Sequence, residues 1–255
     1  MEIKKIESAI ENLKEVFFNA GNISIELRNK GLTEHIKKDK TPVTNGDIEV
    51  NNIILDNLKK ITPSIPIVSE ENVENKNLNL NTFWLVDPID GTYDYINNKD
   101  EFTLNAGLIV NKSALAGIIY APAKSRMFYT YGNNLSYELK NNKEEVLNNK
   151  IIDKNHIKAV SYSNNLRPEI TEIHKKLNVK EYIKMKSSLK FCVVATGEFH
   201  VYVAEPRAYE WDIAAGHAIL KNSGGIATDF SGKEILYGKK DFKNPSIILK
   251  SLKSL

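Results

Sequence analysis

Residues 84–92 read Trp-Leu-Val-Asp-Pro-Ile-Asp-Gly-Thr, and no other stretch of the chain restricts the fold so strongly. Pro88 cannot donate to a sheet ladder and pushes Asp87 toward extended geometry. A strand over 83–86 is therefore expected to stop with Asp87 at its carboxyl end. Gly91 permits a positive φ and hence a sharp turn. Thr92 can then open a helix whose free N–H groups suit a phosphate. Asp87 and Asp90 stand three positions apart in this turn. Two unit charges about 4 Å apart repel by roughly 4 kcal/mol at an effective dielectric near 20. Such a pair stays ionised only with a cation between the carboxylates, and all-oxygen ligands favour a hard ion such as Mg²⁺. Taken alone, the hexapeptide is equally well explained as an ordinary Asp-Pro turn.

Other acids occupy equivalent ends. Glu70 follows a short apolar run at 65–68 just as Asp87 follows 83–86. If those strands are neighbours, the two carboxylates share one sheet edge. Asp212 opens a helix after Trp211, and Ala214-Ala215-Gly216 would let that helix approach its neighbours closely. Asp47 lies in the first turn of a helix that Thr44 can cap, in the manner of a capping box. Asp47 and Asp212 could each serve only the helix dipole. All four having such separate reasons would require several coincidences.

A length of 255 residues suits one large domain or two lobes. The Asn- and Lys-rich stretch 140–155 is the expected boundary, giving lobes 1–150 and 151–255. The stretch 71–82 reads as another surface connection. Net charge is +3 with both signs dispersed, which argues against a nucleic-acid partner. One cysteine, Cys192, allows no internal disulfide and points to a reducing, cytoplasmic compartment; it reads as a core thiol. No run reaches the roughly 18 apolar residues of a membrane span. The first 21 residues place Ile3, Ile6, Ile10, Leu13 and Phe17 at helical spacing among acids, so an amphipathic helix is expected rather than a signal peptide. Peripheral attachment to the inner membrane face stays open, as does the choice of monomer or homodimer. The five histidines show no metal-ligand spacing.

Four alternating runs between 102 and 139 predict an antiparallel meander. Beyond 155, strand and helix patterns alternate: strands at 157–163, 181–185, 200–204 and 245–249, with helices at 168–177, 187–197 and 211–225 between them. Helices flanking sheets imply a layered α+β or α/β sandwich.

Four segments, 39–47, 68–71, 84–92 and 210–220, together resemble the lithium-sensitive, Mg²⁺-dependent phosphatase family that includes inositol monophosphatase. Their order and spacing fit over nearly the whole chain. The resemblance implies an αβαβα sandwich. It implies two or three Mg²⁺ ions held by Glu70, Asp87, Asp90, Asp212 and the main-chain carbonyl of Ile89. Thr92 and Asp47 match a pair that orients an attacking water beside the ion held by Glu70. The main-chain amides of Gly91 and Thr92 match phosphate donors, and Asp212 also borders the substrate.

Within the family the likeness is greatest to the 3′(2′),5′-bisphosphate nucleotidases, through 97–109 and 187–220. The resemblance makes a phosphorylated nucleotide the expected small-molecule partner, with Ser188, Lys190 and Arg207 gripping it. It implies removal of the 3′-phosphate of adenosine 3′,5′-bisphosphate, with the sulfated relative as a second substrate. Lys190 could instead be a solvated helix lysine. Some positions depart from the group. Ser161-Tyr162-Ser163-Asn164 lacks basic residues usual there, Lys186 replaces a glycine, Gly46 an alanine, and Tyr93-Asp94-Tyr95 a more basic stretch. The alternatives are an enzyme for cyclitol or sugar monophosphates and a catalytically silent binding protein on the same scaffold. The latter should have lost a metal ligand or the Thr/Asp pair, and this sequence keeps them all.

Overall fold

The computed structural model describes residues 2–37, 40–72, 80–148 and 152–255. A long helix, α1 (Ile3–Lys30), leads to a hairpin of β1 (Glu34–Ile36) and β2 (Pro42–Thr44), then to α2 (Asn45–Ile61). The central sheet follows: β3 (Ile67–Ser69), β4 (Thr82–Asp90), β5 (Thr103–Val110), β6 (Ser113–Ala121), β7 (Arg126–Thr130), β8 (Ser136–Lys140) and β9 (Lys143–Val146), in that spatial order. A short helix, α3 (Thr92–Ile96), links β4 to β5. The rest of the chain forms β10 (Ile157–Ser161), α4 (Pro168–Lys176), β11 (Val179–Lys184), α5 (Leu189–Thr196), β12 (Val201–Ala204), α6 (Glu210–Asn222), β13 (Ile226–Thr228) and β14 (Ile247–Lys250). Its strands make a second sheet in the order β11-β10-β12-β14-β13.

The layers are those expected. α1 and α2 cover one face of the seven-stranded sheet, α5 and α6 lie between the sheets, and α4 covers the far face. Side chains alternate across a strand, so a strand buried on both faces is apolar throughout. In β4, Trp84 and Val86 enter the core beneath α1 and α2, whereas Phe83 and Leu85 enter the core shared with α5 and α6. That second core draws Val68, Ile109 and Phe128 from the first half of the chain and Phe191, Ile219 and Ile247 from the second.

Two features place the site. Strands β3 and β4 run parallel, with Ser69 opposite Val86, so both end at the same sheet edge. Helix α6 rests directly on β5 and β6, because a Cβ on Gly107 would lie 2.6 Å from the amide nitrogen of Ala215.

Several details correct the sequence reading. Strand β4 does not stop at Asp87. It continues through Pro88 to Asp90, and the register against β5 shifts on the way: Asp87 faces Asn105 and Asp90 faces Thr103. Ile3 is 58% exposed, since the apolar stripe of α1 packs only from Ile6 onward. The stretch 140–155 contains β9, and the run at 65–68 pairs only as 67–69. Strands β1, β2 and β13 were not foreseen. Residues 73–79 of the expected 71–82 connection lie outside the described residues, as does the expected 150/151 boundary. No helix among the described residues is long and apolar enough to cross a membrane.

Candidate active site

Each acid arrives on a different element. Glu70 begins a turn of 3₁₀ helix, Glu70–Asn72, directly after β3. Asp87 and Asp90 are the sixth and last residues of β4, and Asp212 is the third residue of α6. Helix α6 starts at Glu210, one residue before Trp211, and the Asp212 carboxylate accepts the Tyr209 N–H at 2.8 Å. Ligand oxygens of Glu70, Asp87 and Asp212 lie within 4.8 Å of one another.

The site is electrostatically strained without a cation. Burial, then the Glu70, Asp90 and Asp212 charges, hold the Asp87 carboxyl well above its ordinary range. Burial, then Asp90 and Glu70, do the same to Asp212. Burial raises Asp90 to about 6, although Lys190, the Ser188 N–H and Arg207 oppose the rise. Asp87 is 1% exposed and its Oδ1 has no hydrogen-bond partner. A buried carboxylate oxygen left unpaired costs free energy that a cation recovers. The donor set is all oxygen, so these residues fit a hard divalent ion.

Beside the acids, Gly91 adopts φ 95° and begins α3, as the turn chemistry requires. The Thr92 hydroxyl donates to Asp47 at 3.0 Å and reaches the Ile89 carbonyl at 3.1 Å. Asp47 also accepts the Thr44 N–H at 2.8 Å and the Thr44 hydroxyl at 2.6 Å, completing the expected capping box of α2. Burial raises the Asp47 carboxyl, and these hydrogen bonds work against the rise. Glu70, Asp87, Ile89, Asp90, Gly91, Thr92 and Asp212 line a single hollow of about 490 Å³.

An adjoining hollow of about 280 Å³ shares Asp90, Gly91 and Asp212 and adds Lys186, Ser188, Lys190 and Arg207. Lys190 is not a solvated lysine. It is 8% exposed, and burial lowers its ammonium to about 8 against the pull of Asp90. Its Nζ donates to the Ser187 carbonyl. The Ser188 hydroxyl is engaged within the protein, by Thr103 at 2.8 Å and by Asn105.

Sequence reasoning missed Lys37. Its ammonium bridges Glu70 at 3.1 Å and Glu71 at 2.7 Å. Burial acts against that charge, but the two carboxylates outweigh it and raise the Lys37 pKa. It also missed Tyr209, which stacks on Trp211 with ring centroids 4.9 Å apart and lines the acidic hollow. Nothing in a Lys-rich segment or an isolated tyrosine marks either position in advance.

A sequence model of the inositol monophosphatase family matches residues 5–255. The chain is 33% identical over 241 residues to the 3′(2′),5′-bisphosphate nucleotidase CysQ of Salmonella typhimurium, covering 92% of this chain and 97% of that protein. It is 32% identical over 232 residues to the protein of the same name from Escherichia coli K12, covering 89% and 93%. Among solved structures, CysQ from Bacteroides thetaiotaomicron superposes with a TM-score of 0.80 at 27% identity, covering 97% of each chain. An inositol monophosphatase from Thermotoga maritima superposes at 0.76 and 23% identity over 95% and 91%, a likeness of fold alone. The carboxylate cluster, the turn beside it and these matches across the whole chain establish that it belongs to the inositol monophosphatase family.

Proposed function

We infer that the chain is a phosphoric monoester hydrolase acting as a 3′(2′),5′-bisphosphate nucleotidase. It removes the 3′-phosphate of adenosine 3′,5′-bisphosphate to give AMP and phosphate, and the sulfated form is a further substrate. The observation that carries this reading is the junction of the two hollows. An oxyanion held near Asp90 and Gly91 lies beside a wall bearing Lys186, Lys190 and Arg207. A substrate with two phosphates uses both halves, whereas a cyclitol monophosphate has no group for the cationic one. The curated relatives named for this activity support the same choice.

The proposed ligands are Glu70, Asp87, Asp90, Asp212 and the Ile89 carbonyl, for two or three Mg²⁺. Divalent ions there supply positive charge for phosphate oxygens and lower the pKa of water. The chain's own groups do the rest. Thr92 donates a hydrogen bond from its hydroxyl to Asp47, which leaves the hydroxyl oxygen lone pairs free to accept a hydrogen bond from the attacking water. Asp47 in turn is fixed by Thr44 and stays an acceptor. The amides of Gly91 and Thr92 face the phosphate at the start of α3. Lys190 and Arg207 carry the second phosphate, and the fixed spacing of the two sites aligns the ester with the water.

The test is phosphate release from adenosine 3′,5′-bisphosphate and from inositol 1-phosphate, with Mg²⁺, with and without lithium. The bisphosphate is expected to be preferred about tenfold or more, and lithium to inhibit. A tenfold preference for inositol phosphate would establish the cyclitol reading instead.

A further inference from the structure

The cationic hollow contains an arrangement that the substrate assignment does not explain. The Arg207 guanidinium lies over the Tyr162 ring, 4.0 Å from its centroid. Glu205, two residues before Arg207, is the nearest carboxylate in sequence, yet no ion pair forms between them among the described residues. Glu205 is engaged elsewhere. Both its oxygens accept the Tyr162 hydroxyl at 2.7 Å, and Arg167 approaches it at 3.4 Å. Tyr162 therefore does two things at once. Its face carries the guanidinium, and its hydroxyl occupies the carboxylate that would otherwise neutralise it.

We propose that Tyr162 is a positioning residue for the second-phosphate grip, holding Arg207 over its ring while keeping Glu205 away from it. A guanidinium stacked on an aromatic face keeps its edge N–H groups available, and those edges suit phosphate oxygens. Lys186 and Lys190 line the same hollow, which also carries Asp90, Asp94 and Asp212, so the three cations offer a second phosphate a place apart from the acids. The prediction concerns discrimination: Tyr162 acts only on substrates that carry the second phosphate.

This inference rests on the bisphosphate reading, and the experiment separates the two. Steady-state constants are measured for adenosine 3′,5′-bisphosphate and for adenosine 3′-monophosphate, together with inhibition by AMP. Tyr162→Ala should raise KM for the bisphosphate and Ki for AMP about tenfold. The kcat and the constants for the monophosphate should change by less than about twofold. Tyr162→Phe keeps the ring but releases Glu205, so it should show part of the same loss. Adding Glu205→Gln to Tyr162→Phe should restore most of it, because the released group is then uncharged. Thermal melts of each variant identify any that fail to fold, and the Phe variant remains informative if the Ala variant does. Equal losses on both substrates would overturn the inference, since they indicate a general structural role. An unchanged preference in both variants, or no recovery in the double variant, would overturn it too. If the unaltered enzyme shows no preference for the bisphosphate, the functional reading itself fails.

Discussion

At the scale of single residues, burial works against the charged forms of Asp87, Asp90 and Asp212. Asp90→Asn should nearly abolish phosphate release, and near-normal turnover would remove Asp90 from the site. Asp87→Asn offers a second measurement, on the metal-free protein. The folded Asp87 carboxyl sits well above its unfolded value of about 3.9, first because of burial and then because of Glu70, Asp90 and Asp212. As pH rises past that value, the unfolded chain ionises first and gains stability, so this group lowers net stability until it too ionises. Asp87→Asn should therefore be more stable than the parent at pH 7.5 by more than about 1 kcal/mol, with the advantage gone near pH 4. Denaturant melts at both pH values in a chelator check this. Mg²⁺ at pH 7.5 should raise the melting temperature of the parent and not that of the variant.

At the scale of elements, the site depends on how closely α6 lies on the sheet. A Cβ at Gly107 would meet the Ala215 amide nitrogen at 2.6 Å and the Ala214 Cβ at 2.7 Å. Both are parts of a packed helix and neither can swing away. Gly107→Ala should cost about 1–3 kcal/mol in urea unfolding. It should also lower kcat, because the helix start that carries Asp212 moves with the shift. Full activity with reduced stability would show that the helix tilts about its first turn. The longer elements were legible in the sequence because their apolar spacing runs over several periods, as in α1 and the meander. Strands β1, β2 and β13 span three residues and β9 four, all of β9 exposed, so none carries a usable alternation. The acids were legible for the opposite reason: Glu70, Asp90, Asp47 and Asp212 stand at or near the ends of recognisable elements, and Asp87 precedes a proline inside β4. The Lys37 bridge to Glu70 and the Arg207–Tyr162 stack join residues 33 and 45 positions apart, and only tertiary packing brings them together.

At the scale of the whole molecule, we propose that the lobes 1–150 and 151–255 behave as one cooperative unit. Their common core mixes Phe83, Leu85 and Phe128 with Phe191, Ile219 and Leu249. The two tryptophans report on different cores: Trp84 packs beneath α1 and α2, and Trp211 packs between the sheets. Trp84→Phe and Trp211→Phe, each leaving one reporter, should unfold at midpoints that match their own circular-dichroism curves. Separate fluorescence and circular-dichroism midpoints would reveal lobes that melt independently. The same sheet also explains how two aspartates an odd number of residues apart serve one centre. Between Asp87 and Asp90, β4 advances three residues while β5 advances two. Ile89 is consequently buried in the aliphatic layer under the first two helices, and Asp90 opens into the acidic hollow. Excising one residue to make the ladder regular would exchange those destinations, burying a charge in oil and offering an isoleucine to the ions. The irregularity is thus a switch of sidedness, and the enzyme could be disabled without altering a single acid.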